Sequence, residues 1–188
     1  MAASPGASVV PSPSPAGPAV NGPLLFTGNP TPGFTLQSSA FTDGGNLPSQ
    51  FSCDGPGGGQ SPPLSWSGAP STTKTFVLVD QDVDGAAPNT VSHWVTYSIP
   101  PTVTQFEAAQ PADPTLPNGA LQGLNARRAI GYLGACPPAG TPAHHYTFQL
   151  FALDTPLTVA PGATVLDVQS AMTGHIVAQT KIVALFGH

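Results

Sequence analysis

The stretch HWVTYSIPP, residues 93–101, decides how the rest of the chain is read. Val95, Tyr97 and Ile99 alternate with Trp94, Thr96 and Ser98, the two-residue period of a β-strand whose two faces meet different surroundings. Pro100 and Pro101 then end the ladder, because proline brings no backbone N–H. His93 opens the strand, and a titratable side chain in that place asks for an explanation.

Similar short runs recur on both sides of it: FTLQSSAF (34–41), PPLSWS (62–67), TKTFVLVDQD (73–82), HYTFQLFALD (145–154) and KIVALFG (181–187). Most of the 24 prolines and 21 glycines fall between these runs, where they set turns and break ladders. Strands at this spacing predict a mainly β protein, an antiparallel β-sandwich. Helix is expected only near the C-terminus, in one or two short pieces. One begins at Thr164, with Asp167 completing a capping box, and carries a stripe of Val165, Val168, Met172 and Ile176 at three- and four-residue intervals.

The first 23 residues, MAASPGASVVPSPSPAGPAVNGP, hold few large apolar side chains and no charged ones. Residues 1–25 therefore read as an extended Pro/Ser/Ala-rich tether ahead of one folded domain, residues 26–188. At 188 residues and 40% hydrophobic content the chain can bury one real core. Only 7% of residues carry charge, which points to an exported, cell-envelope or extracellular protein whose signal sequence is not in this chain. No apolar run reaches the roughly 20 residues that span a bilayer, so a membrane would be reached only through a removed lipid anchor. With a net charge of −5 and four permanent cations, Lys74, Arg127, Arg128 and Lys181, the chain has no basic stripe for a nucleic acid.

Polar chemistry gathers in three clusters. DQDVDGAAP (80–88) sets Asp80, Asp82 and Asp84 on alternate residues, so an extended backbone aims all three to one side. Three carboxylates on one face repel one another unless donors, water or a cation offset them. The second cluster is His93 beside Trp94. The third, PPAGTPAHHYTF (137–148), brings Pro137, Pro138, His144, His145 and Tyr146. Cys53 and Cys136 are an even pair that permits a disulfide and equally two free thiols; neither sits at zinc-finger spacing from another ligand.

The segments FSCDGPGGGQSPPLSWSGAP, DQDVDGAAP, HWVTYSIP, GYLGACPPAGTPAHHYTFQLFALD and AMTGHIVAQTKIVALFG together resemble the phosphatidylethanolamine-binding proteins, in their bacterial, Raf kinase inhibitor-like branch. The resemblance implies a β-sandwich with a small pocket at one end for anionic groups, phosphate or a phospholipid head. It assigns Asp82, His93, His144 and Tyr146 to that pocket and makes Pro137 and Pro138 its wall, so His93 opens its strand because it lines a cavity mouth. It also places Cys53 and Cys136 close enough for a bridge from the CDG loop to the proline wall. The chain departs from the family pattern in reading DVDGAAP for DPDAP and HHY for HRY, where His145 replaces a permanent cation.

The expected role is regulatory binding without a cofactor. The protein-interaction alternative, modulation of a protease or kinase, names no partner in the sequence. Hydrolysis finds no support, since no G-x-S-x-G elbow presents Ser65 or Ser67 as a nucleophile. Asp82, His93 and His144 are also a donor set that iron or zinc accepts, but the reading keeps them as ligand-binding groups with no metal.

Overall fold

The computed structural model describes residues 21–86 and 89–188. A six-stranded sheet forms the middle of the molecule: β2 (Gly45–Asn46), β4 (Thr75–Ala86), β5 (Asn89–Ile99), β7 (Leu121–Gln122), β8 (His144–Leu153) and β9 (Ile176–Phe186), in the order β2-β9-β8-β4-β5-β7. Its pairings are antiparallel except β2 with β9. A three-stranded sheet of β1 (Thr35–Gln37), β3 (Leu64–Ser67) and β6 (Gln105–Phe106) covers one face. The mainly β, sandwich-type architecture expected from the strand spacing is the one observed.

Both faces of the large sheet are buried. Leu78, Trp94, Phe148 and Leu150 meet Phe34, Leu64, Trp66 and Phe106 from the small sheet and its loops. Val77, Val79, Val95, Tyr97 and Phe151 meet α1 (Val165–Met172) and the entering chain at Leu25 and Phe26 on the other side. That double burial is why β4 and β8 read as near-continuous apolar runs rather than as alternating ones.

Strand β5 departs from strict alternation at two places. Asp80 faces Trp94 while the next residue, Gln81, faces Ser92, so His93 is an extra residue in β5; a second slip lies between Leu78↔Thr96 and Phe76↔Ile99. Ser98, within that second slip, takes a left-handed φ of 51°. The consequence is that Ile99 joins the Trp94 side of the sheet and not the Val95 side.

The helix begins as expected, with Thr164 and Asp167 forming a reciprocal capping box and Val165, Val168 and Met172 buried. Ile176 is not its last stripe residue. Gly174 adopts φ 83°, the helix ends at Met172, and Ile176 starts β9 with 42% exposure.

Most of the expected tether, residues 1–20, lies outside the described residues. Residues 21–25 pack on the domain: the Thr90 N–H donates to Gly22 O at 2.9 Å, and the Leu25 N–H donates to the buried Gln81 side chain at 3.1 Å. The Phe26 N–H donates to Gln149 in the same way. Among the described residues the packed chain thus reaches back to Asn21, and the buried Gln81 finds backbone partners ahead of Phe26.

Candidate functional site

Three central strands deliver the site. Asp82 comes from β4, His93 from β5 and His144 from the first position of β8, and all three line one hollow of about 530 Å³. The bulge in β5 matters here, since an extra residue re-aims its own side chain out of the regular pleat. Pro137 and Pro138 line the same hollow. Tyr146 does not: it pairs with Asp82 across the sheet and is fully buried behind His93, whose ring meets it edge-on at 5.0 Å.

Both histidines of the hollow have defined partners. His144 Nδ1 lies 2.8 Å from Asp82 Oδ2; a carboxylate only accepts, so Nδ1 carries the proton and Nε2 is left to meet a ligand. His93 Nδ1 lies 2.8 Å from the Leu133 carbonyl, which fixes the same tautomer, and the Leu133 N–H donates back to the His93 carbonyl at 2.8 Å. Burial pushes the His93 imidazole below its ordinary range, outweighing the Leu133 hydrogen bond and the charge of Asp82. It is therefore neutral near pH 7 and gains its proton only below the ordinary imidazole range.

Asp84, the third alternate acid, accepts both the backbone N–H and the Nδ1–H of His145, at 2.7 and 2.9 Å. Burial alone raises its carboxyl, but these bonds and the two histidine charges pull it below the usual value. The residue that stands where the family pattern has arginine thus still pairs with Asp84, in an exposed contact. Asp80 diverges from its neighbours. It is completely buried between Trp94 and Phe148, neither oxygen has a hydrogen-bond partner among the described residues, and burial with the charge of Asp82 raises its carboxyl well above the usual range. A carboxyl held above its usual range takes on negative charge less readily, which limits repulsion with Asp82.

Two contributions were not assigned in sequence. Arg127 lines the hollow, set there by Asn125, whose side chain accepts from the N–H groups of Arg127 and Ala129 and donates to Gly131 O. Gly85 also lines it, and a Cβ at that position would come within 2.7 Å of Asp82 Oδ2 and 2.8 Å of Val91 Cγ2. The Asn–x–Arg spacing was the available signal for the first; nothing in the sequence marked the second. Cys53 and Cys136 form a disulfide that ties the CDG loop to the residue preceding the proline wall.

A second hollow of similar volume, about 520 Å³, lies between β1 and β9, but the titratable side chains lining it are only Asp43 and Lys181. The imidazoles converge on the first.

Residues 37–187 match the sequence model of the phosphatidylethanolamine-binding protein family. The chain belongs to that family. A UPF0098 protein of Methanothermobacter thermautotrophicus is 44% identical over 152 residues, spanning 80% of this chain and 97% of the relative. The crystal structure of Escherichia coli YbcL, described as a new member of the mammalian PEBP family, superposes with a TM-score of 0.75 at 32% identity, over 83% of this chain and 99% of YbcL. A Mycobacterium tuberculosis protein named as a candidate lipoprotein, LppC, is 36% identical over 152 residues, 81% of this chain and 71% of its own. Within the phosphatidylethanolamine-binding fold, the hollow described above opens where the β4, β5 and β8 segments carrying Asp82, His93 and His144 come together.

Proposed function

We propose that this hollow binds a small anionic group, phosphate or a phospholipid head, reversibly and in a regulatory rather than catalytic role. The observation that carries the reading is the convergence of two imidazoles, Arg127 and two carboxylates, Asp82 and Asp84, each bonded to a histidine, on a single proline-walled cavity. Arg127 supplies the permanent charge, and His144 turns Nε2 to the ligand at a fixed angle because Asp82 accepts from Nδ1; as an imidazolium it donates from Nε2 to an anion's oxygen. Protonation of His93 adds a donor as the pH falls. The proline pair offers rigid apolar wall with no donor to compete for the ligand.

A binding role is supported by what the Asp82–His144 pair lacks. The hydroxyl among the lining residues belongs to Thr141, and its Oγ1 donates to the Pro138 carbonyl at 2.7 Å, so it is committed to its own turn instead of standing ready as a nucleophile. Export to the envelope belongs to the same proposal. It is supported by the disulfide and by the naming of the mycobacterial relative, while among the described residues no helix is long and apolar enough to cross a membrane.

Isothermal titration at about pH 6 with inorganic phosphate, phosphoethanolamine and phosphatidylethanolamine vesicles tests the reading. Heat with phosphate or phosphoethanolamine, lost in His144→Ala, supports it, and the vesicle arm separates a free anion from a lipid surface. No binding in any arm would sink it and leave protein docking as the better account.

A further inference from the structure

Outside the anion hollow, one other place brings nucleophile chemistry together. Among the described residues, Cys53, Cys136 and His188 place their sulfurs and one imidazole nitrogen all within 4.8 Å of one another. Cys136 and His188 are exposed and Cys53 is half-buried. His188 Nδ1 lies 3.5 Å from Asp54 Oδ2, the residue next to Cys53, and the ring packs edge-on against Phe186 at 5.5 Å. Asp54 thus lies beside the imidazole, and the imidazole stands beside the disulfide.

We propose that this disulfide is an exchange site for thiols, with His188 as the acid that assists the departing sulfur. The thiolate of a low-molecular-weight or protein thiol attacks the more exposed sulfur, Cys136 Sγ. A new S–S bond forms there and the Cys53–Cys136 bond breaks. The electron pair of the broken bond goes to Cys53 Sγ, which takes the proton from the His188 imidazolium. The attacking sulfur is oxidised, the Cys53 sulfur is reduced, and the imidazole is left neutral.

Two general facts favour this direction. A thiol leaves faster when its thiolate is stabilised, and an adjacent imidazolium is among the arrangements that stabilise one. Around His188 the other residues of its surface hollow, among them Asn46, Ser49, Thr141 and Phe186, do not titrate, so Asp54 is the charged group facing it. The inference does not rest on anion binding. Its structural consequence falls on the same wall, because Cys136 precedes Pro137 and itself lines the hollow.

The test is the rate of exchange of the folded, oxidised protein with glutathione between about pH 5 and 8. The released Cys53 thiol is trapped with iodoacetamide and quantified by peptide mass spectrometry, and each rate is divided by the thiolate fraction of the glutathione. The expected result is a normalised rate that falls as the imidazole loses its proton, with His188→Ala slower by about 10-fold or more at the acidic end and without that pH dependence. Circular dichroism on each variant excludes loss of the fold as the cause, and His144→Ala reports whether the pocket histidine contributes. Exchange in His188→Ala at the parent rate across the range would overturn the proposal, and so would a parent protein whose disulfide exchanges only in denaturant.

Discussion

Replacing Asp80 by asparagine separates the charge of this buried carboxyl from its shape. The side chain is fully buried, its two oxygens are unpartnered, and its proton affinity is raised first by burial and then by Asp82. In the unfolded chain it titrates at about pH 3.9. The folded state holds the proton to higher pH, so above that value the unfolded state binds fewer protons and stability falls as the pH rises. The loss begins near pH 4, continues until folded Asp80 itself ionises, and proceeds at no more than about 1.4 kcal/mol per pH unit. Asparagine is neutral throughout and close in size. In a domain of this length 1 kcal/mol corresponds to about 2–4 °C in Tm. Scanning calorimetry of both proteins should find nearly equal Tm values at about pH 4 and a variant that gains on the parent as the pH rises from there, by no more than about 3–5 °C per pH unit. A difference that stays constant with pH, or one that shrinks, would refute the assignment of Asp80 as a buried acid holding its proton.

Arg127→Ala removes the permanent cation of the hollow while leaving the sheet untouched, and calorimetric titration should show phosphate affinity lower by about 5- to 30-fold, the worth of one charge-assisted hydrogen bond. Gly85→Ala puts a methyl against Asp82 Oδ2, so the Asp82–His144 bond is displaced; the expected readout is a shifted His144 Nδ1–H resonance together with weaker phosphate binding. The Cys53–Cys136 bridge spans 83 positions, and Cys53→Ser paired with Cys136→Ser should lose about 4.5 kcal/mol in urea unfolding by the chain-entropy estimate. A loss near zero would mean that the loops stay ordered without the bridge.

The fold was legible because its long strands are continuous apolar runs bounded by proline and glycine, and because Thr164 and Asp167 announce the helix. The two-residue strands β2, β6 and β7 were not, since a pair of ladder residues leaves no periodicity to read. Ile176 continued the helical stripe by spacing alone, and only the left-handed turn at Gly174 shows where the helix stops. At the site, the resemblance named Asp82, His93, His144 and the proline pair, and the five line one hollow. It named Tyr146 as well, which packs behind His93 instead. Strict alternation put Asp80, Asp82 and Asp84 on one side; Asp82 and Asp84 do line the same hollow, Asp84 as an exposed pair with His145, whereas Asp80 lies in the core. Register slips depend on the partner strand, so β5 could not reveal its own bulge at His93. Arg127 depended on a cap that forms only when Asn125 meets the backbone of residues 127–131.

The account turns on whether negative oxygen enters the space between the two imidazoles. Nitrogen-15 NMR of the histidine rings during a phosphate titration, repeated at about pH 7.5, 6.5 and 5.5, addresses this directly. The expected result is a saturable shift of both His93 and His144, with affinity rising at each lower pH because burial delays protonation of His93. Histidine spectra that stay unchanged at saturating phosphate, or an affinity that falls toward acid, would contradict it.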